Sequence, residues 1–159
     1  MEDISIATRQ LEELLSETDD FIANASNFTA FIFENIPNIN WCGFYFDNGK
    51  ELILSVFQGK VACIKIPYHL GVCGYSFSNN LIAIIDDVNQ FDTHIACDAA
   101  SKSEFVIPLS YLSKVIGVLD IDSSIYSRFD TKLQEDINLL LSIFLSKTKL
   151  DNIVQYYNV

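Results

Sequence analysis

Trp41-Cys42-Gly43-Phe44-Tyr45-Phe46-Asp47-Asn48-Gly49-Lys50-Glu51-Leu52-Ile53-Leu54-Ser55-Val56-Phe57 decides the fold class. An aromatic-rich run, 41–46, and a second apolar run, 51–57, are separated by a turn at 47–50. Asn-Gly between two such runs is a hairpin signal, because both residues tolerate the left-handed backbone that a tight reversal needs. The sheet therefore starts as an antiparallel pair.

Upstream, residues 5–36 carry apolar positions at helical spacing: Leu11, Leu14 and Leu15, then Phe21, Ile22, Phe28, Phe31 and Ile32. Ser, Thr and Asp residues at 16–20 divide them, which predicts two short amphipathic helices closed by Pro37 and Asn38. Downstream, a third strand over 62–67 follows the Gln58-Gly59-Lys60 turn. Gly71-Val72-Cys73-Gly74 leads into a short helix ending near Asn79, and 81–86 reads as another strand. Residues 87–103 lack periodicity and read as a long functional loop with a turn of helix. A last hairpin covers 105–112 and 114–122.

Asp130 or Thr131 caps a closing helix, Thr131 and Gln134 having the spacing of a capping box, with Leu133, Ile137, Leu140, Leu141, Phe144 and Leu145 on its apolar face. Helices, then a mostly antiparallel set of strands with an inserted loop, then a helix predict an α+β sandwich rather than an alternating parallel fold. One domain over 1–159 is expected, since half of the residues are apolar.

The chain has 21 acidic and 10 basic residues and a net charge of -11, which repels phosphate backbones and anionic lipid surfaces. Nucleic acid and membrane are therefore not expected as partners. Early acidic residues replace the basic n-region of a secretory signal, and no apolar run is long enough to cross a bilayer. A cytoplasmic location is expected, where four cysteines stay reduced and act as core residues, metal ligands or catalysts.

Cys97 lies in His94-Ile95-Ala96-Cys97-Asp98-Ala99-Ala100-Ser101, with His94 three residues before it and Lys102 five after. Taken locally it is either an activated nucleophile or, more often in such a setting, a small buried hydrophobe. Cys63 alternates with Ile64 and Ile66 and reads alone as a core residue. Cys73 sits between glycines, where the backbone can approach a ligand, and Cys42 reads as packing beside aromatic residues. His94, Cys97, Cys63 and Cys73 supply four donors for zinc, but no Cys-x-x-Cys pair is present and the spacing does not fit a zinc knuckle, so neither metal nor cofactor is expected. Asp120 and Asp122 are two apart on a strand and share a face, near Glu104. They are suited to a substrate ammonium, or one raises the other's pKa and makes it a proton donor; the alternative for Asp122 is a solvated strand end.

Together, Trp41-Cys42-Gly43-Phe44-Tyr45, Phe57-Gln58-Gly59-Lys60, Ala62-Cys63, Gly71-Val72-Cys73-Gly74, the Cys97 segment, Ser103-Glu104 and Gly117-Val118-Leu119-Asp120-Ile121-Asp122-Ser123 resemble the free methionine-(R)-sulfoxide reductases. The resemblance covers nearly the whole chain. It implies a GAF fold, a central antiparallel sheet with flanking helices, and reduction of free methionine-(R)-sulfoxide. Cys97 then stands at the attacking thiol, Cys63 at the main resolving thiol and Cys73 at a third thiol able to join disulfide exchange. Thioredoxin is the implied reductant, and a homodimer is an assembly the resemblance allows. Glu104, Asp120 and Asp122 match acids that contact substrate, and Trp41 and Tyr45 match aromatic pocket residues. His69-Leu70 departs from the polar pair usual before Gly71. A GAF-type small-molecule or redox sensor is the competing reading, since one scaffold serves many functions.

Overall fold

The hairpin forms where the sequence places it. In the structure, a computed structural model describing residues 3–92 and 100–157, strand β1 (Ile39–Asp47) pairs antiparallel with β2 (Leu52–Gly59), Asp47 opposite Leu52. The connection is a loop over 48–51. Asn48 N–H donates to the Glu51 carbonyl at 3.2 Å, and Asn48 Oδ1 accepts from the N–H groups of Lys50 and Glu51, each at 3.0 Å. Gly49, at φ 82°, supplies the left-handed residue. His94 and Cys97 lie outside the described residues.

The hairpin belongs to a six-stranded sheet in the order β3 (Lys65–Ile66), β2, β1, β6 (Lys114–Ser123), β5 (Ser103–Tyr111), β4 (Ala83–Ile85), with every neighbouring pair antiparallel. Helices α1 (Ile4–Leu14), α2 (Phe21–Asn35), α4 (Thr131–Lys147) and α5 (Asp151–Tyr157) contribute to the larger core on one face; α3 (Gly71–Asn79) packs on the other. The α+β sandwich is observed. Among the described residues, no helix is long and apolar enough to cross a membrane.

Three expectations change. The strand expected over 62–67 contracts to Lys65–Ile66, because Ile64, which strand alternation would bury on the same face as Ile66, is 68% exposed. The strand expected over 81–86 contracts to Ala83–Ile85 at the opposite edge. Asp130, not Thr131, caps α4, its carboxylate accepting from Leu133 N–H at 2.8 Å, while Gln134 turns to the Phe129 carbonyl. A further helix, α5, follows a break at 148–150.

Period-two alternation divides the sheet's side chains between two cores. Cys42, Phe44 and Phe46 of β1, Phe105 and Ile107 of β5 and Leu119 and Ile121 of β6 enter the helical core. There Phe144 of α4 packs against Phe28 and Phe44 with ring centres 4.9 and 5.3 Å apart, and Phe21 of α2 meets Phe46 edge-on at 5.2 Å. Trp41, Tyr45, Val106 and Val118 go to the other face with Val72 and Cys73 of α3. Along the same strands, Glu104, Asp120 and Asp122 fall on that second face.

Gly43 is the space that lets this face carry an indole. A Cβ there would stand 2.4 Å from Phe57 Cβ and 2.5 Å from the Trp41 ring. Gly43→Ala is expected to cost about 1–3 kcal/mol through overpacking, read as a lower urea midpoint. The emission of Trp41, the single tryptophan, should shift with it. An unchanged midpoint and spectrum would show that the ring does not rest on this backbone.

Candidate active site

Three elements converge on the second face. Gly71 opens α3 at φ 67°, a left-handed conformation, and Gly74 lets the helix approach the preceding chain so closely that a Cβ would lie 2.7 Å from the Pro67 carbonyl oxygen. Cys73, between them in the first turn, is thereby held 3% exposed against the sheet. Asp120 of β6 stands opposite Gly43 on one side and Val106 on the other, and Glu104 of β5 stands opposite Asp122, which in turn faces Trp41. Cys73 Sγ is 4.0 Å from Glu104 Oε1. One ligand atom from each of Cys73, Glu104 and Asp120 lies within 4.8 Å of the others.

The electrostatics of this cluster follow from burial. Glu104 and Asp120 are 7% and 6% exposed, so water stabilises neither charge. Burial, then the neighbouring Asp120 and Asp122, push the Glu104 carboxyl well above the usual carboxylate range. Burial also raises Asp120, to about 6, with hydrogen bonding from Cys73 and Glu104 limiting the rise. Near neutral pH the buried pair therefore shares a proton rather than carrying two charges. Burial and the same acids hold the Cys73 thiol well above its ordinary value, overriding its place in the first turn of a helix. One buried oxygen of the cluster, Asp120 Oδ1, has no hydrogen-bond partner among the described residues.

A wall of stacked rings stands beside the acids. Trp41 lies between Phe57 and Tyr45, with ring centres 5.4 and 5.8 Å away and planes inclined by 16° and 27°. The polar tips of two of these rings hold the chain after β2. Trp41 Nε1 donates to the Lys60 carbonyl at 3.2 Å, and the Tyr45 hydroxyl donates to the Cys63 carbonyl at 3.0 Å. Tyr45 is 2% exposed, and burial among acids keeps its hydroxyl protonated far above neutral pH. It is thus a permanent donor.

Of the residues singled out from sequence, the structure brings Cys73, Glu104 and Asp120 together, sets half-buried Asp122 on the same face, and places Trp41, Tyr45 and Cys63 along its wall. Cys63, read locally as a core residue, packs half-buried against the second core but is disulfide-bonded, whereas Cys73 is a free thiol. Cys42 is packing, fully buried among the helical-core residues. Phe57 is a wall residue that sequence reading missed, although the hairpin register, with Phe57 opposite Gly43, points to it.

No family model matches the chain. The fold is that of a GAF domain: the GAF domain of an Acinetobacter phosphoenolpyruvate-protein phosphotransferase superposes with a TM-score of 0.78 over 98% of this chain and 99% of that one, at 13% identity. Similarity at the sequence level is narrower. The free methionine-R-sulfoxide reductase of Escherichia coli is 42% identical over 134 residues, 84% of this chain and 81% of the relative. The fRMsr of Staphylococcus aureus, solved in complex with its substrate, is 40% identical with a TM-score of 0.85 over 92% of this chain and 96% of that one. The chain belongs to the free methionine-R-sulfoxide reductase family.

A raised folded-state pKa makes the proton bind more tightly in the native protein, so the stability it brings below the usual carboxylate range is lost as pH rises through about 6. Asp120→Asn removes that ionisation. Under reducing conditions, its unfolding free energy relative to the parent should improve by roughly 1–3 kcal/mol between pH 4 and pH 7.5. Urea unfolding at both values measures this; a difference independent of pH would mean that Asp120 is not held against its charge.

Proposed function

We infer that the protein reduces free methionine-(R)-sulfoxide to methionine. The observation that carries this reading is the buried pair of acids, Glu104 and Asp120, clustered with Cys73 under an aromatic wall, in a chain that matches named reductases along most of its length. A free amino acid brings an ammonium group, which suits Asp120 and, beside it, Asp122. The thioether and methyl group suit the faces of Trp41 and Tyr45. A sulfoxide oxygen needs a proton as it departs, and Glu104, whose carboxyl burial pushes upward, is suited to supply it.

The chemistry balances on these groups. The Cys97 thiolate attacks the sulfoxide sulfur as Glu104 supplies a proton to its oxygen; in the resulting adduct that oxygen passes to the Cys97 sulfur while the sulfur–sulfur bond and the methionine sulfur–oxygen bond break, leaving methionine and a cysteine sulfenic acid. Methionine sulfur gains two electrons and Cys97 sulfur loses two. The Cys63 thiol then displaces water from the sulfenic acid to form a Cys97–Cys63 disulfide, which a dithiol of the thioredoxin type reduces. Cys63 suits this second step better than Cys73, because Cys73 is buried among acids that keep it protonated and unreactive.

Separated epimers with thioredoxin as reductant test the reading. Turnover is expected for R and not for S, with Cys97→Ser inactive, Cys63→Ser limited to about one turnover, and Glu104→Gln lowering kcat by roughly two to four orders of magnitude. Asp120→Asn should act mainly on KM. No turnover of either epimer by the parent would leave a ligand-binding GAF module instead.

The Tyr45 hydroxyl gives a separate prediction. Tyr45→Phe keeps the ring and loses the bond to the Cys63 carbonyl, worth about 1 kcal/mol. The single-turnover burst of methionine should keep its rate while disulfide formation slows about fivefold, measured by quenched thiol counting. Equal slowing of both steps would place the hydroxyl on the substrate instead.

A further inference from the structure

We propose that Cys73, Glu104 and Asp120 form a binding site for one thiophilic divalent cation of the zinc class, and that such an ion and the substrate exclude each other. The second clause rests on the function proposed above; the first stands without it. Three kinds of observation carry the site. The donors are one sulfur and two carboxylates, and an atom of each lies within 4.8 Å of the others, the Cys73 Sγ to Glu104 Oε1 distance being 4.0 Å. Tetrahedral zinc, with bonds of about 2.3 Å to sulfur and about 2.0–2.2 Å to oxygen, sets such ligand atoms about 3.5 Å apart. Small rotations of buried side chains close that gap.

The second observation is Asp120 Oδ1, buried on a residue 6% exposed and, among the described residues, without a hydrogen-bond partner. A carboxylate oxygen so placed is short of a donor or a cation. The third is the donor chemistry: a sulfur stands beside two buried carboxyl groups, and one divalent ion can bind all three at once. The ligands also come from three well-anchored elements, α3, β5 and β6, so little ordering is needed on binding. A thiolate in the set selects zinc, cobalt or cadmium over magnesium and calcium.

Coordination forms metal–sulfur and metal–oxygen bonds, and the protons of Cys73 and Glu104 pass to solvent; no electron is transferred. Three protein ligands leave one position for water. The ion would occupy the acids that the proposed substrate needs, so it inhibits rather than assists. This set shares only Cys73 with the four-donor group considered from sequence.

The full chain carrying Cys63→Ser and Cys97→Ser, titrated with Co2+ without oxygen, tests the site. One equivalent should give a thiolate-to-cobalt charge-transfer band with intense tetrahedral d–d bands, displaced by Zn2+. Adding Cys73→Ser should abolish the charge-transfer band, and adding Asp120→Asn or Glu104→Gln should weaken the apparent affinity at least tenfold. No band, or a band that survives Cys73→Ser, overturns the site. If Cys73→Ser does not fold, the two carboxylate variants decide: affinity unchanged in both overturns it. Methionine sulfoxide should raise the apparent Kd for Co2+, and an unaffected Kd overturns the exclusion. A protein that gives the band but reduces neither epimer sinks the function proposed above and leaves the site; one that reduces the R epimer without a band sinks the site alone.

Discussion

The alternation of side chains along β1, β5 and β6 is the constraint on which the rest depends. Each strand gives alternate residues to a core of aromatic and branched side chains beneath the helices, and that apolar set fixes register, since a slip of one residue would expose all of it. Once Phe44, Phe105 and Leu119 are committed to the helical side, Tyr45, Glu104 and Asp120 have no choice of face. The energy of the helical core thus holds buried carboxylates in a place they would not choose. A sheet with only one apolar face would let them reach water. Here α3 and the 60–63 segment cover that face, and the carboxylates become reactive groups instead of surface charges.

Covering the acids separates their roles. In water Glu104 and Asp120 would titrate together; buried side by side they divide one proton between them, the pattern in which like charges in a shared dry site cannot both ionise. Glu104 lies beside Asp122 across the strand pair and is pushed up by burial and by both neighbouring acids, whereas Asp120 receives hydrogen bonds that favour its charge. The same surroundings suppress Cys73. A thiol in the first turn of a helix would ordinarily be activated, and a neighbouring acid pair is enough to reverse the effect.

How much of this was legible in the sequence depends on the range of the interaction. Asn48-Gly49 marked the hairpin, the spacing from Leu11 to Ile32 marked two helices, and the two-residue separation of Asp120 and Asp122 put them on one face; these are local matters of backbone geometry. The edge strands were overestimated because Ile64, Leu81 and Ile82 have the right side chains for strands but are exposed, and a single sequence does not say which apolar runs find a partner. The meeting of Cys73 with Glu104, and the place of Phe57 under Trp41, depend on how α3 lies on the sheet and on cross-strand register. The resemblance had grouped the first two; the geometry supplied the direction of their protonation. Cys97, central to the sequence reading, lies outside the described residues.

The division of labour among the thiols then follows from environment rather than from identity. Cys42 is sealed among aromatic side chains and has no route to solvent chemistry. Cys73 has a carboxyl neighbour at 4.0 Å and is held protonated, so it is a poor nucleophile. Cys63 is half-buried, disulfide-bonded, and carried on a segment whose backbone is pinned by the Trp41 and Tyr45 ring tips while Val61 and Ile64 on either side stand in solvent. The resolving role proposed for Cys63 asks a thiol to meet first the sulfenic acid on Cys97 and afterwards an external dithiol. A position fastened on its inner side and open on its outer side meets both demands, and among Cys42, Cys63 and Cys73 it is Cys63 that has one.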